Sequence, residues 1–150
     1  MFAYCKNLEN IPNLSDWEIS NVTDMSGIFS NCIKLASLAN ISKWKTDNVI
    51  KMNEIFNNWC SLQSINDISE WDTSKVENTS FMFNHCCALE DMSIISEFDL
   101  SNVKYMNSMF AECFSLEKIP KFSNVPKAIN VSFMFFLPEI KSSWRWRFWI

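Results

Sequence analysis

Glycine and proline are scarce in this chain, which has one Gly and four Pro among its 150 residues. Glycine-rich flexible loops are therefore excluded, and tight turns have to be built from Asn, Asp and Ser, which also tolerate turn conformations. Long apolar runs are missing as well, because no stretch of 18 or more apolar residues occurs. The sequence accordingly predicts no transmembrane segment.

Positive charge is also in short supply. The chain has 13 basic and 17 acidic residues, a formal net charge of −4, and no basic block that could neutralise phosphates. Nucleic acid is therefore not an expected partner. Hydrophobic residues make up 48 % of the chain and aromatic residues 15 %, which is ample material for the core of one domain.

Self-similarity is the strongest feature that the sequence does contain. Several residue types recur every 27 positions, and we call each set of equivalent positions a column. The clearest columns are Phe2, Phe29, Phe56, Phe83 and Phe110; Leu8, Leu35, Leu62, Leu89 and Leu116; and Ser15, Ser42, Ser69, Ser96 and Ser123. One unit cannot bury its apolar face alone, whereas stacked units cover one another. We therefore predict a repeat solenoid over residues 1–136, with four full units and one irregular unit, a buried Phe column, and a non-repeat tail at 137–150.

Each unit reads as a short helix followed by a short strand. Good N-cap residues occupy one column, made up of Ser20, Asp47, Ser74 and Ser101. Apolar residues then fall at positions 22, 25, 28, 29 and 32, in steps of three and four that favour a helix of about three turns. Asn31, Asn58 and Asn84 are expected to take the left-handed conformation at the helix end. The next stretch, "LASLANISKW" in the first unit, suits a short strand, so the predicted fold class is an α/β repeat solenoid.

The wording of the units resembles a known family. The stretches "NISKWKTDNVIKMNEIFNNWCSL" and "DISEWDTSKVENTSFMFNHCCAL" are similar to the BspA-type leucine-rich repeats of bacterial surface proteins and lipoproteins. The resemblance covers residues 1 to about 136 and departs at Trp59, where the Cys column is interrupted and Cys60 lies one place later. It implies a leucine-rich-repeat solenoid, cell-surface or extracellular exposure, and adhesion or ligand binding. It carries no catalytic residue.

The six cysteines leave three interpretations open. Cys5, Cys32, Cys86 and Cys113 share one column, and Cys60 and Cys87 share the next. Buried free thiols acting as small apolar residues, slow to react, are the favoured interpretation. Disulfides between adjacent units are the second, because the cysteine count is even. A metal site is the third and has little support, because there is no CxxC pair and the only histidine, His85, reads as a surface residue.

No enzyme is predicted. A Ser column could supply nucleophiles, but no His or Lys column accompanies it as a base. The Trp and Phe columns read as core rather than as a cofactor-stacking box, and no cofactor is expected.

The predicted function is non-enzymatic recognition of a protein or a cell-surface glycan through the exposed strand face. The candidate binding residues there are Asn13, Asp16, Asn40, Lys43, Asp67, Glu70 and Glu97. An intracellular, cytoplasmic scaffold for protein–protein interaction is the alternative.

The first residues also suggest how the array begins. The stretch "MFAYC" at 1–5 aligns with "MFNHC" at 82–86 and "MFAEC" at 109–113, so Met1 stands midway through a unit. We therefore expect an excerpt of a longer array that can self-associate through its open ends. The terminal "WRWRFWI" reads as a cap, an out-of-register end, or a short interfacial segment.

Overall fold

Backbone hydrogen bonds join residues 26 positions apart and so connect each unit to the next. The computed structural model describes residues 1–38, 40–65, 68–126 and 129–136. In the first unit the donors are Met25, Gly27, Phe29 and Asn31, whose acceptors are the carbonyls of Lys51, Asn53, Ile55 and Asn57 at 2.8–3.1 Å. Isolated parallel bridges mark the same contact, in the series Asp24–Lys51, Lys51–Asn78 and Asn78–Tyr105. The sequence period is thus the spacing at which neighbouring units pair.

The amides between these donors bond back within their own unit. The N–H of Ile28 donates to the carbonyl of Met25, that of Ser30 to Gly27 and that of Cys32 to Phe29, at 3.0–3.3 Å. Each of these bonds spans three residues and closes a β-turn. Successive amides therefore alternate between the next unit and their own, and the backbone is satisfied without an α-helix. We call residues 24–31 and their equivalents the paired segment.

Two columns of left-handed residues make this alternation possible. The first consists of Gly27, Glu54, Phe81, Ser108 and Phe133, with φ of 55–62°, and the second of Tyr4, Asn31, Asn58, His85 and Glu112, with φ of 57–64°. They stand at the third position of alternate turns, where a type II turn requires positive φ. Nine of the ten are not glycine, and each non-glycine residue accepts a cost on the order of 1 kcal/mol in this region. The single glycine of the chain lies in one of these columns.

The predicted α/β solenoid, with a short helix and a short strand in each unit, is wrong. The described residues contain no α-helix and no extended strand, and one 3₁₀ turn, Ser93–Glu97, is the helical element that lies wholly within them. The apolar spacing that suggested a helix comes from successive β-turns, each closed by a bond between residues three positions apart. These turns return the chain to the interior at a similar interval. Left-handed residues at positions 27 and 31 would also interrupt an α-helix.

Because the described parts of the units contain no α-helix, the residues predicted as helix caps do not cap helices. Ser20, Asp47, Ser74 and Ser101 lie in tight turns, such as the one closed by the bond from the Val22 N–H to the Ile19 carbonyl at 2.8 Å. Asn31 and Asn58 do take the left-handed conformation, as predicted. The assignment of Asn84 is wrong, because His85 holds that position in its unit.

The core is built from aromatic ladders that run along the stack. Phe29, Phe56, Phe83 and Phe110 are each at most 1 % exposed, which confirms the predicted burial of the Phe column. Rings of adjacent units lie 5.3–6.2 Å apart, nearly parallel, along the whole series from Phe2 to Phe135. Offset stacking at these distances adds to the stabilisation from apolar burial.

The tryptophan ladder also joins the units through hydrogen bonds. The Trp44 and Trp71 indoles stack at 6.1 Å, and their N–H groups donate to the carbonyls of Leu14 and Ile41 at 2.9 and 3.0 Å. Among the described residues, no buried side-chain nitrogen or oxygen atom lacks a partner. Of the same residues, none forms a helix with the length and apolarity needed to cross a membrane. The predicted tail at 137–150 lies outside the described residues.

Two neighbouring phenylalanines test the ladder. Phe83→Ala should lower the free energy of unfolding by about 3–5 kcal/mol, because it removes a fully buried ring between two others. Phe81→Ala should lower it by clearly less, because the Phe81 ring is not part of the stacked ladder and is already 37 % exposed. Urea unfolding measures both. Similar losses for the two variants would contradict the stacked core.

Candidate functional site

The predicted binding residues lie at the surface wherever the structure describes them. Asn13, Asp16, Asn40, Lys43, Glu70 and Glu97 are all exposed, and Asp67 lies outside the described residues. The surface that carries them is formed by turns and bends, so its description as a strand face is wrong. No ion pair within the described ranges involves Asp16, Lys43, Glu70 or Glu97. Their charges are therefore available to a partner, and their role in binding stays a prediction.

A second surface lies along the outside of the paired segments. One exposed column varies strongly from unit to unit, through Asp24, Lys51, Tyr105 and Asn130. The next residue in each of the first four units is instead a buried Met or Thr: Met25, Met52, Thr79 and Met106. Adjacent charges on the outside pair across units, as Lys51 and Asp24 do at 3.1 Å. Exposed ion pairs of this kind contribute little stability, so the outside is free to vary while the inside is fixed.

Large apolar side chains are exposed on this second surface. Ile50, Phe81, Tyr105 and Phe133 come from four consecutive units and are 37–70 % exposed, and we call them the apolar strip. Backbone bonds connect the segments that carry the first three members: the Glu77 N–H, four residues before Phe81, donates to the Ile50 carbonyl, and the Phe81 N–H donates to the carbonyl of Asn107, two residues after Tyr105. The strip was not predicted from the sequence. Its signal was that apolar residues replace polar ones, as Phe81 does in the column of Glu54 and Ser108.

An amide-lined depression lies at the second left-handed column. Asn31, Asn57, Asn58, Asn84 and His85 line an open hollow of about 280 Å³. The Asn58 side-chain Nδ2 donates to the side-chain Oδ1 of Asn31 at 2.7 Å, so the side-chain amides are oriented along the stack. Such a surface can offer both donors and acceptors to a polar ligand.

Three potential metal ligands meet beside this hollow. One side-chain donor atom each of Cys60, His85 and Cys87 lies within 4.8 Å of the other two, and all three residues are half-buried. The Cys60 and Cys87 sulfur atoms are 3.8 Å apart, and burial together with the neighbouring Cys60 thiol raises the pKa of Cys87 to about 11. Glu112 Oε2 lies 2.6 Å from His85 Nδ1. This cluster was not predicted from the sequence, because Cys60 lies 25 and 27 residues before His85 and Cys87, and this spacing fits no short metal motif.

Three of the other thiols are buried and free, as predicted. Cys32, Cys86 and Cys113 are buried, and each thiol donates to the carbonyl of a Phe in the preceding unit at 3.1–3.2 Å. Burial raises the pKa of Cys113 to about 12 and that of Cys86 well above its ordinary value. Cys60 and Cys87 differ, because they lie one place beyond this column and are only half-buried. Cys5 lies in the column of the buried thiols but is also half-buried, so the predicted burial of all six cysteines is wrong for Cys5, Cys60 and Cys87.

Within the part of the chain that the structure describes, His85 makes no contact with the serine column. His85 contacts Glu112 and lies edge-on to Phe114, and none of its contacts involves Ser15, Ser42, Ser69, Ser96 or Ser123. The prediction that the chain is not an enzyme stays a prediction.

Comparison with known proteins relates the chain to one family. The family model described as "Mycoplasma protein of unknown function, DUF285" matches residues 1–119 and again residues 59–142. A solved structure, that of a leucine-rich repeat protein from Bacteroides ovatus, is 21 % identical to the chain with a TM-score of 0.46. That alignment covers 83 % of this chain but only 34 % of the other, so the chain spans about a third of that protein's length. No curated protein is significantly similar.

Adjacent cysteines test the placement of the thiols. In the native state Cys87 should react with iodoacetamide well before Cys86, because Cys87 is half-buried whereas Cys86 is fully enclosed. Pulsed labelling followed by peptide mass spectrometry measures the two rates, with denatured protein as the reference in which all six thiols react. Equal native rates at Cys86 and Cys87 would contradict the structure.

Proposed function

The chain belongs to the family of Mycoplasma proteins of unknown function, DUF285, and we propose that it is a non-enzymatic binding module. In this proposal it is a BspA-type surface protein that recognises a protein or a cell-surface glycan through the outside of its stack. Its position is then extracellular, and adhesion is its role.

The observation that carries the proposal is the apolar strip. Ile50, Phe81, Tyr105 and Phe133 are only partly covered, at 37–70 % exposure, although the Phe and Trp ladders already supply a core. Exposed aromatic residues on a rigid support are the usual anchors of protein interfaces, because a buried ring removes much apolar area from water at small entropic cost. A stack of repeats presents such anchors at fixed spacing.

Polar side chains around the strip supply selectivity. Lys51 directly follows Ile50, Asn78 lies in the same paired segment as Phe81, and both differ from their equivalents in other units. A partner that matches this arrangement would be distinguished from others by its charges and hydrogen bonds. The two predicted columns, which include Asp16, Lys43 and Glu70, form a second candidate face with unpaired charges.

Binding to intact cells tests the proposal. Purified, fluorescently labelled chain is added to cultured animal cells, and saturable binding is the expected result. The double variant Phe81→Ser and Tyr105→Asn should weaken binding at least about 10-fold, because it removes two anchors. Both replacements are residues that the repeat itself uses, at Ser108 and Asn78, so the stack should remain folded.

A matched control places its changes on the other face. Exchanging the charges of Lys43 and Glu70, by Lys43→Glu with Glu70→Lys, should leave cell binding within about twofold, and loss of binding in this variant alone would move the site to the predicted columns. Pre-treating the cells with protease or with glycosidases separates a protein partner from a glycan. Absence of saturable binding would refute the proposed function. A membrane-impermeant label applied to cells that produce the protein would distinguish surface exposure from the intracellular alternative.

A further inference from the structure

We propose that Cys60, His85 and Cys87 form a binding site for a borderline-soft divalent cation, with Zn²⁺ as the best-fitting ion. Two thiolates and an imidazole are the ligand types that Zn²⁺ prefers. One donor atom from each lies within 4.8 Å of the other two. All three residues are half-buried, so an ion can reach them from solvent.

The sulfur separation agrees with a shared metal ion. Tetrahedral Zn²⁺ holds each thiolate at about 2.3 Å, which places two sulfur ligands about 3.8 Å apart. The Cys60 and Cys87 sulfur atoms are 3.8 Å apart. A disulfide would require them to approach to about 2.05 Å, whereas a metal ion requires no change in this distance.

The two thiols converge on the histidine residue. The Cys60 and Cys87 sulfur atoms lie 3.7 and 3.6 Å from the backbone carbonyl oxygen of His85. The backbone of His85 is held in the left-handed conformation, with φ of 58°, and its N–H donates to the Ala111 carbonyl at 2.7 Å. The paired segment thus fixes the position from which the imidazole extends.

Glu112 supplies the outer support that metal-binding histidines generally have. Its carboxylate lies 2.6 Å from His85 Nδ1, from the equivalent position of the next unit. In the proposed site the Nδ1–H of the neutral imidazole donates to this carboxylate, and Nε2 is the nitrogen that binds the ion. Three protein ligands leave the fourth coordination position of Zn²⁺ open to water or to a group of a bound partner.

The residues of the cluster also differ from those at the equivalent positions of other units, and the packing of the repeat does not require this difference. The column of Cys60 and Cys87 holds Lys6, Ile33 and Phe114 in other units, and that of His85 holds Tyr4, Asn31 and Asn58. The core already has its thiol column in Cys32, Cys86 and Cys113. Stacking therefore does not account for two further thiols beside the only histidine, whereas a metal site does.

Cobalt titration of the full chain tests the site. The reduced protein is freed of metal with a chelator and titrated with Co²⁺, which stands in for Zn²⁺ and reports thiolate ligation by its near-ultraviolet charge-transfer band. We expect saturation at one Co²⁺ per chain, intense visible bands typical of tetrahedral Co²⁺, and loss of both when Zn²⁺ is added.

Matched variants tie the signal to the three residues. Cys60→Ser, Cys87→Ser and His85→Asn should each weaken Co²⁺ binding at least about 10-fold, and Asn is what the repeat itself uses at Asn31 and Asn58. Glu112→Gln should weaken it about 10-fold through the histidine. Cys5→Ser, which changes a half-buried thiol elsewhere, should leave it unchanged. Unfolding by urea confirms that each variant is folded.

Three results would overturn the proposal. The first is no charge-transfer band in the folded, reduced wild-type chain. The second is a band that persists at full strength in Cys60→Ser and Cys87→Ser. The third is a Cys60–Cys87 disulfide, found by mass spectrometry in protein purified without reductant, in a chain that binds no Co²⁺ once reduced.

Discussion

The structure depends on one constraint: backbone amides along the paired segment bond alternately to the next unit and to their own. A donor such as Phe56, which reaches the Met82 carbonyl at 3.0 Å, holds two units in register, while the bond from Asn57 to Glu54 tightens the turn within one unit. The left-handed residues at every fourth position permit this arrangement. Their conformational cost is offset because the amides of the segment find partners either in the next unit or in a turn of their own unit.

The division between inside and outside follows from this pairing. Backbone bonds fix the register of the units, so equivalent buried side chains of adjacent units lie at a constant distance from one another. Flat rings stack well at this distance, which favours the Phe and Trp ladders. The outward columns carry no such requirement. Charges, amides, thiols and exposed rings can therefore be placed there independently in each unit, and both the apolar strip and the Cys60–His85–Cys87 cluster arise in this way.

Sequence reasoning succeeded where residue identity repeats and failed where only spacing was available. Five Phe residues at intervals of 27 imply a shared environment, and four of them are buried. Apolar steps of three and four do not distinguish a helix from successive β-turns, because both return the chain to the interior after three residues. Gly27 and Asn31 were the local signs of left-handed turns, but Glu54 and Phe81 occupy the Gly27 column and hide the pattern.

The candidate site was harder to foresee than the core. To predict the charged columns, only the exposure of their side chains had to be recognised. The buried residues beside them in the sequence indicate that exposure. To predict the metal cluster, the pairing of the units that carry Cys60 and His85 had to be known. No short sequence motif specifies how these two units align. Columns one place apart, such as those of Cys86 and Cys87, differ in burial because the turn directs consecutive side chains to different sides.

The alternation of backbone bonds can be measured directly by NMR. Couplings transmitted across hydrogen bonds identify which carbonyl each amide contacts. The account predicts couplings from the amides of Met52, Glu54 and Phe56 to the carbonyl carbons of Asn78, Ser80 and Met82, and from the amide of Asn57 to that of Glu54. Couplings from consecutive amides of this segment to carbonyls four residues earlier would instead show an α-helix and contradict it.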